Sequence, residues 1–229
     1  MNTFRILVAD DHEVVRHGLR ALLEAQPGWT VCGEAADGRE AVAKAIELRP
    51  DIAVLDIGMP NLNGLEATRQ IVAAIPAKVL ILSLYESEQM VREVLEAGGS
   101  GYLLKSDATK FLVKAAEALK NGKTYFTPRF GHLLNDYGSR TASRTISLVS
   151  LTERERQVVQ LLGEGKSTKE VASMLNIAVK TAETHRAHIM HKLDLHSITD
   201  LVLYAVRNRI IQVPSALQEN AVGLAPAES

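Results

Sequence analysis

Asp10, Asp11, Asp56, Ser83 and Lys105 are the residues in this chain whose types could do chemistry as a set. Carboxylates brought close together repel, and without a cation some are driven to the neutral form. A hard divalent ion such as Mg2+ relieves that repulsion through oxygen ligands while keeping several waters. A lysine ammonium and a hydroxyl beside it would hold a phosphoryl group, the first as a point charge and the second as a hydrogen-bond donor. Any one of these residues could simply cap a loop; the set at matching positions argues for a pocket.

The positions match because of the elements that carry them. Short apolar runs at Phe4–Ala9, Thr30–Ala35, Ile52–Leu55, Lys78–Ser83 and Gly101–Leu104 read as buried strands. Helix-period stretches lie between and after them, near 13–25, 38–48, 64–74, 87–97 and 108–120. Runs with little polar alternation suit parallel strands covered on both faces. Five strands alternating with five helices predict a flavodoxin-like, doubly wound five-stranded α/β sheet. The candidate residues all fall at or just beyond strand carboxyl ends, the edge where such sheets form their sites.

The 229 residues are 46% apolar and 23% charged, ordinary for a globular protein, so disorder throughout is excluded. One cysteine, Cys32, cannot close an internal disulfide, which fits a cytoplasmic setting. No apolar run approaches the ~20 residues of a membrane helix, and MNTFRILVADD does not read as a secretory signal. Residues 1–121 carry 13 Lys+Arg against 17 Asp+Glu, whereas 148–211 carry 9 against 7 together with four histidines. An acidic front and a mildly basic back predict two domains with two tasks. We place the first domain at 1–121, a linker at 122–147 with a short helix around Pro128–Asn135, a helical domain at 148–211 and a disordered tail at 212–229.

The front half resembles the receiver domain of two-component response regulators through VADDH at 8–12, LDIGMPNLNG at 55–64, ILS at 81–83 and GYLLK at 101–105. The resemblance implies that Asp56 accepts a phosphoryl group from a histidine kinase. It implies Mg2+ bound by the carboxylates of Asp10, Asp11 and Asp56 and the carbonyl of Gly58. Ser83 and Lys105 would contact the phosphoryl group, and Tyr102 would be the switch aromatic that rotates inward. Where many receivers have a small residue after the hydroxyl, this chain has Leu84, which narrows the room for Tyr102. Tyr85 and Gly58 flank the pocket, and Tyr85 is expected to hinder attacking water.

Residues 148–211 predict four short helices with tight turns, a compact all-α helix-turn-helix domain. Thr152-Glu153-Arg154-Glu155 has the form of a capping box, and Ser167 is placed to cap the second helix. On a wheel of about 100° per residue, Ile189, Ala182, Leu193, Val179 and Met190 share one arc. Arg186 falls in the same arc, so it is expected to pair with a buried carboxylate, Glu155 or Glu170. Glu183, Ala187, Lys180, His191, Thr184 and His188 form the opposite face.

This half is similar to the LuxR-type helix-turn-helix attached to receivers in the NarL/FixJ family. The resemblance implies double-stranded DNA as partner, bound at promoter half-sites by a homodimer, with RNA polymerase a further candidate partner. It places base contacts at Lys180, Glu183, Thr184 and Ala187, with His188 on the same face. Glu183 suits a cytosine amine, and Thr184 and Ala187 a thymine methyl. Lys166, Lys169 and Lys180 suit phosphates, with hydroxyl contacts from Thr181. Lys192 and His191 read as bystanders, and the last helix offers Val202, Ala205, Val206 and Arg209 as a dimer surface. The four histidines 185, 188, 191 and 196 lack the angular clustering of a zinc site.

Two other classes compete. A Mg-dependent phosphatase would need an acid–base partner and a substrate-capping insertion, and neither is visible between these short loops. A receiver whose helical domain docks only proteins would lack sequence-specific DNA binding.

Overall fold

The computed structural model describes residues 3–127, 130 and 151–211, and the chain divides into two compact units, Met1–Ser150 and Leu151–Ser229. The expected helix around 128–135, apart from Phe130, and the expected tail at 212–229 lie outside the described residues.

The first unit is a parallel sheet of β1 (Phe4–Ala9), β2 (Trp29–Ala35), β3 (Ile52–Asp56), β4 (Lys78–Ser83), β5 (Gly101–Leu104) and β6 (Tyr125–Phe126), in the order β2-β1-β3-β4-β5-β6. The helices between and after the strands are α1 (Glu13–Glu24), α2 (Gly38–Leu48), α3 (Gly64–Ala74), α4 (Glu88–Glu96) and α5 (Ala108–Lys120). Successive side chains of each strand enter opposite cores, as the period of two requires. Leu7 and Ala9 of β1 join Ala53 and Leu55 of β3 in one core, and Ile6 and Val8 join Ile52 and Val54 in the other. Burial on both faces is why the strands read as unbroken apolar runs.

The sheet has six strands where the sequence reading expected five. The extra strand, β6, pairs with β5 through Gly101↔Tyr125 and Tyr102↔Phe126, inside the segment read as linker. Two residues are too few to show a period in the sequence. Gly101 permits the approach: a Cβ there would stand 2.7 Å from the Tyr125 carbonyl oxygen.

The second unit holds α6 (Glu153–Gly163), α7 (Thr168–Met174), α8 (Val179–Lys192) and α9 (Ile198–Arg207). Both α6 and α7 begin with complete capping boxes, Thr152 with Glu155 and Ser167 with Glu170. Each box satisfies amide hydrogens that the first turn would leave unpaired. Gly165 turns the chain out of α6 with φ +83°. Val158, Leu161, Val171, Ala182, Ile189, Leu201 and Ala205 form one core shared by all four helices.

Candidate functional site

Asp56 is the last residue of β3 and Ser83 the last of β4, while Asp10 directly follows β1 and Lys105 directly follows β5. The pairing Ala9↔Leu55, Asp56↔Leu82 and Ser83↔Leu104 keeps these ends level. The Lys105 ammonium lies 2.6 Å from Asp10 Oδ2 and 3.0 Å from Asp56 Oδ1. Both aspartates are buried, and among the described residues neither of these two oxygens has a hydrogen-bond partner apart from that ammonium.

Burial pushes the Asp56 carboxyl up to about 6, with the Asp10 charge adding to it; Lys105 and the Gly58 amide pull the other way without winning. Burial likewise works against the Lys105 ammonium, but the Asp56 and Asp10 charges outweigh it and hold its pKa above the ordinary lysine value. The pocket is therefore short of positive charge.

Two local features fix Asp56. Asn63 caps α3 through the Glu66 amide, and Gly64 lets that helix start against β3. A Cβ at Gly64 would sit 2.3 Å from the Asp56 carbonyl oxygen, so the glycine of LDIGMPNLNG is demanded by close backbone approach.

Asp11 is reached through His12, whose Nδ1 lies 2.8 Å from Asp11 Oδ1 and 3.3 Å from Asp10 Oδ1. The His12 amide also donates to Asp10 Oδ1, and Arg16 Nη1 donates to the Asp10 carbonyl. His12 and Arg16 were given no role from sequence, although His12 stands inside the VADDH motif.

Ser83 is fully buried and its Oγ accepts from the Tyr85 amide at 3.0 Å. Tyr102 is wholly buried, its hydroxyl donates to the Tyr85 carbonyl, and its ring meets Phe130 edge-on at 5.9 Å. The expectation that Leu84 narrows the room for Tyr102 is not met. Leu84 is 64% exposed, because the chain turns out of the sheet immediately after Ser83.

In the helical unit, Lys180, Thr181, Glu183, Thr184, Ala187 and His188 of α8 are all exposed, as is Lys169; Lys166 is half-buried. The Thr184 hydroxyl donates to the Lys180 carbonyl at 2.9 Å, which leaves its methyl as the group to present. Two expectations for this helix are overturned. Arg186 is exposed, and Glu170 is engaged by its own capping box. Glu155 takes Lys192 instead, Nζ to Oε2 at 2.7 Å, with His188 Nδ1 3.2 Å from Oε1. Only Ala182 and Ile189 are buried on α8, so the inward stripe is narrower than the apolar arc suggested. Its edge falls between Arg186 on one side and Lys192 on the other. Burial works to raise the Glu155 carboxyl, but Lys192 and the Thr152 amide overcome it and hold its pKa low.

The fold and these sites define a receiver-type α/β domain joined to a helix-turn-helix domain. The receiver domain of response regulators matches residues 6–117, and the luxR family of bacterial regulatory proteins matches residues 149–205. LiaR, a transcriptional regulatory protein of Bacillus subtilis, is 37% identical over 208 residues, 90% of this chain and 99% of LiaR. VraR, a response regulator of Staphylococcus aureus, is 37% identical over 211 residues, 92% of this chain and all of VraR. Among solved structures, Salmonella typhimurium RcsB superposes with TM-score 0.61 at 26% identity, over 89% of this chain and 97% of RcsB. A second RcsB structure, with TM-score 0.54, holds two dimers on two parallel DNAs. The chain belongs to the two-component response regulators with a LuxR-type DNA-binding domain, a family of transcriptional regulators.

Proposed function

We propose that Asp56 accepts a phosphoryl group from the phosphohistidine of a cognate histidine kinase, and that this controls dimerisation and DNA binding. The observation that carries the reading is the buried pairing of Asp56 with Asp10, bridged by the Lys105 ammonium. The carboxylates of Asp10, Asp11 and Asp56 with the Gly58 carbonyl suit a hard ion in donor type and charge. Bound there, Mg2+ would neutralise the carboxylates and the charge developing on the transferred group. A carboxylate oxygen of Asp56 attacks phosphorus, the phosphorus–nitrogen bond breaks, and the kinase imidazole leaves with the electron pair. Lys105, already within 3.0 Å of the acceptor, is placed to pair with the new phosphoryl oxygens. Ser83 would exchange its bond with the Tyr85 amide for one to phosphate. Because Tyr102 holds the carbonyl of the same Tyr85, that exchange reaches β5.

The exposed residues Lys180, Thr181, Glu183, Thr184, Ala187 and His188 of α8 would enter the major groove, with Lys166 and Lys169 on phosphates. The net charge of this domain is small, so a dimer on paired half-sites is the form expected to bind, as RcsB dimers do on DNA. Among the described residues no helix is long and apolar enough to cross a membrane.

The test is intact mass after incubation with Mg2+ and a small phosphodonor, with Asp56→Asn in parallel. A gain of one phosphoryl group in the unaltered protein alone supports the reading. Equal gain in both, or none with any donor, refutes Asp56 as acceptor.

A further inference from the structure

The loop between β3 and α3 begins directly after Asp56. The Gly64 amide closes it by donating to the Ile57 carbonyl at 3.0 Å. Ile57, Met59, Leu62 and Asn63 are buried, while Gly58, Pro60 and Asn61 are half-buried. From this loop the Gly58 amide acts on the Asp56 carboxylate as a hydrogen-bond donor. The loop backbone is tightly wound. Asn61 takes φ +64°, and across it the Leu62 amide donates to the Pro60 carbonyl at 2.7 Å. Three-residue turns with a positive φ at their centre are rare and strained, and they persist where surrounding structure enforces them.

The start of α2 supplies that enforcement. Asn61 Nδ2 donates to Asp37 Oδ2 at 2.9 Å, while Asp37 Oδ1 caps α2 by accepting from the Glu40 amide. Beside this pair, a Cβ at Gly38 would overlap the Leu62 carbonyl oxygen, so α2 begins against the loop backbone itself. We propose that Asp37 and Asn61 are a positioning pair for phosphoryl transfer, holding the strained β3–α3 loop so that the Gly58 amide stays on the Asp56 carboxylate. The effect on rate rests on Asp56 as the acceptor; the effect on the loop does not. A loop released at Asn61 relaxes its turn, and the Asp56 carboxylate loses a donor that fixes its aim at the incoming phosphorus.

The test compares the full-length protein with Asn61→Asp, Asn61→Gly and the swapped pair Asp37→Asn/Asn61→Asp. Aspartate and glycine both accept a positive φ, so the backbone at 61 is spared. Asparagine caps a helix about as well as aspartate, so the swapped pair keeps the start of α2 and rebuilds the amide–carboxylate bond in reverse. Phosphorylation by acetyl phosphate at saturating Mg2+ is followed by intact mass. Hydrogen exchange of the Gly58 amide is followed by NMR without metal, and Trp29 fluorescence in urea checks that each variant is folded. Asn61→Asp sets two carboxylates against each other and should slow phosphorylation about tenfold, less than the ~100-fold that a misplacement of ~1 Å can cost. Asn61→Gly should slow it about threefold, and both variants should speed Gly58 exchange several-fold. The swapped pair should return rate and protection to within about twofold of the unaltered protein. A swapped pair as slow as Asn61→Asp, rates unchanged in both single variants, or a Gly58 amide indifferent to them would each overturn the proposal. Failure of the acceptor reading looks different: the unaltered protein gains no phosphoryl group, and the Gly58 amide alone then decides whether the pair holds the loop.

Discussion

Asp56→Asn should make the receiver more stable at neutral pH when Mg2+ is absent. The folded-state carboxyl sits at about 6, above its ordinary value of 3.8. Below the lower value both states hold the proton and the group contributes nothing. As pH rises between the two values the unfolded chain releases its proton first, so the folded state loses stability; above about 6 the loss is complete. A shift of about two units is worth about 3 kcal/mol. Asparagine keeps the shape without the charge, so the variant should recover about 2–3 kcal/mol at pH 7.5 and nothing at pH 3.5, below both values. Trp29, the one tryptophan, lies in the receiver core against Phe4, with the Lys120 ammonium over both rings. Its fluorescence in urea therefore follows the receiver, not the helical unit. Adding Mg2+ should raise the midpoint of the unaltered protein and leave the variant nearly unmoved. A variant no more stable at pH 7.5, or a difference that does not fade on acidification, would refute the idea of a frustrated, cation-poor pocket.

Gly64→Ala forces a Cβ against the Asp56 carbonyl, a backbone atom that cannot step aside, and should cost about 2–3 kcal/mol in the same urea assay. Lys192→Met removes the cation from the buried Glu155 carboxylate. Because Lys192 is a quarter exposed and Glu155 keeps the Thr152 amide, the loss should be about 1–2 kcal/mol, read by the far-ultraviolet melt of the helical unit. The depressed Glu155 pKa adds stability present above the unfolded carboxylate value near 4.3, lost as pH falls through the lower folded value, and Lys192→Met should reduce that acid sensitivity. Tyr85→Ala should shorten the lifetime of phospho-Asp56 several-fold, followed as release of inorganic phosphate, if the half-buried Tyr85, whose amide bonds the Ser83 hydroxyl, hinders water at the acyl phosphate.

The acidic pocket was legible because each of its members is tied to a strand terminus, and strand termini show in the apolar runs. Asp56 closes IAVLD and Ser83 closes KVLILS, so their convergence needs only the parallel order of the sheet. What could not be read depends on backbone atoms. The Tyr102 hydroxyl bonds a carbonyl in the loop after β4, and no residue type announces where that carbonyl points. The outward turn that exposes Leu84 belongs to the same loop. Gly64 stood in a quoted motif, yet its reason, the Asp56 carbonyl behind it, appears only once β3 and α3 are packed. His12 was overlooked for a related reason: a histidine after two aspartates carries no period, and its role depends on which way its ring turns.

The error on α8 shows how the helical unit is held together. The wheel gave every apolar residue of the arc equal weight and so carried Arg186 inward, yet Val179 is 40% exposed and the buried stripe narrows to Ala182 and Ile189. Ala182 and Ile189 lie one heptad apart, with the partly buried Met190 and Leu193 packed against the same core. A polar tether adds to these contacts: Lys192 to Glu155, a carboxylate that also caps the first turn of α6. A second polar tie joins α6 to α7, where Arg154 Nη2 donates to the Leu175 carbonyl at the end of α7. Neighbouring residues of one capping box thus fix the helix that would read DNA and the helix before it. The face carrying Lys180, Glu183, Thr184 and Ala187 is kept in register by charges that were read as a cap and a bystander. For that reason Glu155→Gln should weaken sequence preference as well as stability, although Glu155 itself lies behind the face that would meet the groove.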